Sequence, residues 1–145
     1  MNIQVTLETL IQEYLNEPDK ESIQYILLSI ENHHGHFFIV DSAWLRLTGH
    51  AQQCDKFQLA IYFSFNNRTK MGKAIEKRIE QSTTFKDFKN ITDKNSAVFV
   101  TNTNNDKKDI YQTIENIIKT TFPSFDISNV KIELKKKGPR FTIQE

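Results

Sequence analysis

From Phe57 to Phe65 the chain reads Phe-Gln-Leu-Ala-Ile-Tyr-Phe-Ser-Phe, with Phe57, Leu59, Ile61, Phe63 and Phe65 on every second position. A period of two is that of a β-strand, whose successive side chains point to opposite faces of the sheet. Large apolar groups along one face must be covered, and the flanking sequence offers helices to cover them. The stretch therefore predicts a central strand with helices packed on its phenylalanine side. Its other side is half polar, so Gln58, Tyr62 and Ser64 stand as a candidate binding face.

The segments on either side supply the covering elements. Leu7, Leu10, Ile11, Tyr14 and Leu15 follow the i, i+3, i+4 rhythm of an amphipathic helix over 6–16, with Thr6 placed to cap it. After Pro18 and Asp19, Ile23, Ile26, Leu27 and Ile30 repeat the rhythm to about Asn32, which predicts a helical hairpin stopped at Gly35. His36–Val40 and Ala43–Thr48 read as short strands, and Gly49–Lys56 as a polar loop. A further helix is expected from Thr69 to Gln81, where Gly72 in the interior implies close packing. Ser82–Asn95 reads as a packed loop, Ala97–Val100 as a strand buried on both faces, and Asn102–Asp106 as a turn. Ile110, Ile114, Ile117 and Ile118 mark a last helix ending near Phe122, and Val130, Ile132 and Leu134 a strand over 130–135. Gly138-Pro139 then turns the chain toward an edge strand at Phe141 and Ile143.

This order predicts one α+β domain over residues 1–145. The mixed sheet of five to six strands begins as an antiparallel meander. Two β-α-β crossovers, of a length that favours parallel connections, complete it. An N-terminal helical hairpin and two further helices pack on the sheet.

Composition narrows the function classes. With 19 Lys and Arg against 18 Asp and Glu, the net charge of +1 singles out neither nucleic acid nor an acidic partner, so only local patches can argue for one. The lone Cys54 excludes an internal disulfide, and Met1–Val5 leads straight into an amphipathic segment without a signal-like apolar run. A cytoplasmic protein is expected, and no apolar run approaches the roughly 20 residues of a membrane helix.

Three groups of residues are candidates for chemistry. His33, His34, His36, His50 and Cys54 fall between residues 33 and 54. His34, His36, His50 and Cys54 would meet at one rim of the sheet if the strands about Asp41 form a hairpin, and imidazole with thiolate suits zinc. The competing reading is a helix end, where His33 and His34 face exposed carbonyls. Asp126, Glu133 and Lys135 present an acid followed by Glu-x-Lys on a strand, as in Mg²⁺-dependent nucleases. The helix, three strands, helix, strand order resembles the restriction-endonuclease-like core. That layout needs Glu-x-Lys on the third strand, where this chain carries Gln58-Leu59-Ala60. Finally, Arg68, Lys70, Lys73 and Lys77 line one helix, while Lys131, Lys135, Lys136, Lys137 and Arg140 crowd the last strand. Cations so placed can neutralise phosphates, although Glu76, Glu80 and Glu133 are interleaved among them.

No nucleophile elbow and no glycine-rich phosphate loop is present. The expectation is a small accessory or immunity-like binding protein without catalysis or cofactor. It would work by surface contacts with a protein partner or with nucleic acid. A metal-dependent hydrolase is the alternative.

Overall fold

The computed structural model describes residues 2–16, 22–30, 35–41, 59–92 and 96–139. In chain order these form α1 (Ile3–Asn16), β1 (Ser22–Ile30), β2 (Gly35–Asp41), β3 (Leu59–Phe65), α2 (Lys70–Glu80), β4 (Lys89–Asn90), β5 (Ala97–Asn102), α3 (Lys107–Thr121) and β6 (Lys131–Pro139), with a 3-10 turn at Ile127–Asn129. The class is α+β. Six strands lie in the order β4-β5-β3-β2-β1-β6, and each neighbouring pair is antiparallel. β3 is central, as its alternation predicts.

The expected helical hairpin is not formed, because residues 22–30 are strand β1, hydrogen-bonded to β2 on one side and β6 on the other. The reason lies in an apolar content too dense for one helical stripe. Ile26, Leu28 and Ile30 are buried at every second position, and Leu28 has no place in the helical reading. Branched and aromatic residues favour the pleated surface. Gly35, expected to stop that helix, opens β2 instead and lies against the Phe122 ring, 3.0 Å from where a Cβ would stand.

The sheet is antiparallel rather than mixed. β3 and β5 run in opposite directions, with Phe63 opposite Phe99, because β4 is inserted after α2 and turns the chain once more before β5. Only two residues long, β4 hides inside the stretch that reads as a packed loop. The second connection does bring β6 into the direction of β5, but α3 carries the chain across the sheet, and β6 pairs antiparallel with β1 at the far edge. Gly138 and Pro139 end β6 instead of turning the chain, with Pro139 opposite Ser22 on the edge strand. The expected strands Ala43–Thr48 and Phe141–Ile143 lie outside the described residues.

The core forms on one face of the sheet. Ile26, Leu28 and Ile30 of β1, Phe37 and Ile39 of β2, the odd-numbered residues of β3, and Ala97 and Phe99 of β5 meet Leu7 and Ile11 of α1, Ile75 of α2, and Ile110, Ile114 and Ile117 of α3. α3 packs against both α1 and α2. Asp106 caps α3, its carboxylate accepting from the Lys108 and Asp109 amides at 2.9 and 3.2 Å. Asn105 holds a positive φ of 64°, and its side-chain oxygen accepts from the Leu59 amide at 2.8 Å, fixing this turn to the start of β3. On the opposite sheet face Ala60, Val98 and Val100 form a smaller cluster with Tyr25, Tyr62 and Ile91, and no helix among the described residues joins it. No described helix is long and apolar enough to cross a membrane.

Candidate functional site

α2 begins where Thr69 accepts a hydrogen bond from the Gly72 amide at 2.9 Å. Gly72 and Ile75 face inward. At 100° per residue, Lys70, Lys73 and Lys77 then fall on the ridge farthest from the core, with Glu76 and Glu80 on one flank. The three lysines and Arg68 are exposed, and among the described residues none of them has an ion-pair partner. Glu76 and Glu80 form no ion pair with them. Arg78, on another side of the helix, donates through Nη1 to the Thr121 carbonyl at 2.7 Å and ties α2 to the end of α3. It holds the helix layer together and adds nothing to the ridge.

The second basic group lies on and just beyond β6. Lys131 and Glu133 are exposed on β6, opposite Ser29 and Leu27. Register places Lys135 opposite Tyr25, Lys136 opposite Gln24 and Lys137 opposite Ile23. Arg140 lies outside the described residues.

Of the remaining candidates, some fall among the described residues and others do not. Tyr62 is partly buried and packs with the Ala60, Val98 and Val100 cluster, Ser64 is partly buried opposite His36, and Gln58 lies outside the described residues. His36 sits mid-sheet between Ser29 and Ser64, while His33, His34, His50 and Cys54 lie outside the described residues. Among the described residues no group of three or more His, Cys, Asp or Glu side chains is placed to hold a metal.

Asp126 caps the 3-10 turn, accepting from the Ser128 amide at 3.0 Å and from its hydroxyl at 2.8 Å. These two bonds, the amide first, hold its carboxyl below the usual aspartate range. A depressed pKa stabilises the fold above the unfolded-state value and loses that effect as pH falls through the folded one. Wild type should thus exceed Asp126→Asn in melting temperature at neutral pH, and the difference should close below about pH 3.9, the ordinary aspartate value. Thermal melts across that range check this. Burial, and then the charge of Glu115, raise the pKa of Tyr111, whose hydroxyl donates to Glu115 at 3.3 Å. The pair lies on one turn of α3 and acts within the helix.

One feature escapes sequence reading. A cleft of about 600 Å³ opens between α3, the adjoining parts of β3 and β5, and the 82–88 connection. It is lined by Ile61, Phe88 and Ile110 together with threonine, asparagine and aspartate residues. They come from residues 83–87, 101–104 and 109–116, which read separately as loop, turn and polar helix face. Only the runs Thr83-Thr84 and Thr101 to Asn104 hint at it.

Compared with protein-family models, with curated proteins and with solved structures, the chain matches none of them.

Proposed function

We propose that the chain is a small non-catalytic binding protein that meets nucleic acid through the outer ridge of α2, contacting the phosphate backbone without reading sequence. The observation that supports this reading is the set of four exposed cations, Arg68, Lys70, Lys73 and Lys77, without an acidic partner among the described residues. Lysine is depleted at the centre of protein–protein interfaces, where its desolvation is costly, whereas phosphate contacts dominate nucleic-acid binding. That contrast favours a polyanion over a folded protein partner. Lys70 and Lys77 are seven residues apart, about 10 Å along the helix. Such a span covers about three phosphates of one DNA strand at roughly 3.4 Å each. The single cysteine fits a reducing, cytoplasmic setting, and an accessory role, covering or delivering a nucleic acid, follows from binding without chemistry.

Fluorescence anisotropy with a labelled 20-nucleotide single strand and the matching duplex, in about 50 mM salt, tests the assignment. Replacing Lys70, Lys73 and Lys77 together by Gln should weaken binding at least tenfold. Lys119→Gln, which removes the partner of Glu115 on α3, should leave it unchanged. Equal binding by the triple variant and the wild type, or no binding by the wild type to either probe, overturns the reading.

A further inference from the structure

The cleft beside α3 is distinct from the α2 ridge and differs from it in charge. Lysine and arginine are absent from its lining, and its two charged groups, Asp87 and Asp109, are both acidic. Asp87 is exposed and has no hydrogen-bonded or ionic partner among the described residues. Asp109 uses one carboxylate oxygen, Oδ2, to accept from Asn104 at 2.9 Å.

Several threonine hydroxyls lining the cleft spend their protons inside the protein. Thr113 donates its hydroxyl proton to the Asp109 carbonyl at 2.8 Å, Thr101 to the Asn102 carbonyl at 3.3 Å, and Thr84 pairs with the Thr120 hydroxyl at 2.9 Å. A hydroxyl whose proton is engaged offers a ligand its lone pairs. The start of α3 is closed to an anion as well. The amides of Lys108 and Asp109 are bonded to the Asp106 carboxylate, and that of Ile110 to the Asp106 carbonyl at 2.9 Å. Lys107, at the start of α3, reaches away to Gln12 of α1 at 3.4 Å. What remains is a cleft whose two charged groups are both acidic and whose lining includes the aromatic ring of Phe88.

We propose that this cleft binds a small organic cation by its ammonium or guanidinium group. Asp87 and Asp109 supply the opposing charge, threonine hydroxyls accept the remaining N–H bonds, and the Phe88 ring offers a face to the cation. A volume of about 600 Å³ lies within the usual range for small-ligand sites. The same chemistry is carried by a free polyamine and by a lysine or arginine side chain presented by another polypeptide.

Calorimetric titrations of the full chain in low salt with spermidine, with the tripeptide Ala-Arg-Ala and with uncharged glucose test the proposal and separate the two sources. At least one cation should bind at one per chain, and glucose should not bind. Asp87→Asn, at an exposed position without a described partner, should weaken that binding tenfold or more with an unchanged melting temperature. Glu13→Gln, an acid on the distant face of α1, should leave it intact. Spermidine binding alone assigns a free polyamine, and tripeptide binding alone a presented side chain. No binding of either cation, binding of glucose as tight as theirs, or an equal loss in Glu13→Gln and Asp87→Asn overturns the proposal. The α2 lysines play no part in these titrations, so this result and that for nucleic acid stand apart.

Discussion

Phe63→Ala should lower the stability of the fold by about 3–5 kcal/mol, the usual cost of removing a fully buried aromatic ring. The ring is completely shielded and lies at the junction of three elements. Its centroid is 4.7 Å from that of Phe37 on β2, 5.6 Å from Phe65 on its own strand and 5.9 Å from Phe85 in the 82–88 connection. Phe85 in turn meets Phe88 at 5.0 Å and Phe99 at 4.9 Å, so Phe63 is the step by which this aromatic chain reaches β2. An alanine there leaves a void that flanking rings on three separate segments cannot all close. Phe63→Leu keeps most of the volume and should cost well under half as much. Urea unfolding followed by circular dichroism reads both values, and a Phe63→Ala midpoint equal to wild type would show that the core is organised elsewhere.

Gly72→Ala should destabilise the protein by about 2–3 kcal/mol, against the usual rule for a helix interior. Alanine in place of glycine ordinarily gains close to 1 kcal/mol there. Here a Cβ would stand 1.9 Å from the Asn66 carbonyl oxygen and 3.0 Å from the Asn67 Cα. Both obstacles are backbone, so no side-chain rotation relieves them, and overpacking of this kind outweighs the gain in propensity. The turn cannot easily yield either. Asn66 accepts from the Arg68 amide at 2.9 Å, and the Thr69 hydroxyl donates to the Asn66 carbonyl at 3.3 Å. For a chain of this length a melting temperature lower by roughly 5–10 °C is expected. Because the same turn sets out Arg68 and Lys70, the variant should also weaken nucleic-acid binding even where it remains folded. A melting temperature at or above wild type would contradict the close approach.

How far the fold is legible in the sequence depends on how distinctive each period is. Leu59 to Phe65 alternate cleanly and form the strand they announce, and the isoleucines of α3 are as plain. In β1 nearly every position from Tyr25 to Ile30 is apolar, so a helical stripe can be drawn through residues that alternate in fact. The decisive information is the pair of strands on either side, which is not local. β4 is too short to show any period, yet its one extra reversal decides the direction of β5. The ridge residues could be named from the sequence, but not that Glu76 and Glu80 form no ion pair with them. The cleft beside α3 was beyond reach because segments meet there whose separate readings are ordinary.

The measurement that bears most directly on the α2 ridge is the salt dependence of nucleic-acid affinity. Binding of the wild-type chain to a duplex and to a single strand should be titrated from about 50 to 200 mM salt. Four cations each displacing a counterion predict a log–log slope near −3.6 for duplex and near −2.8 for single strand. Removal of Lys70, Lys73 and Lys77 should bring the duplex slope close to −1. A wild-type affinity that does not change with salt, or a slope that the triple variant leaves intact, would contradict the assignment of α2 as the binding surface.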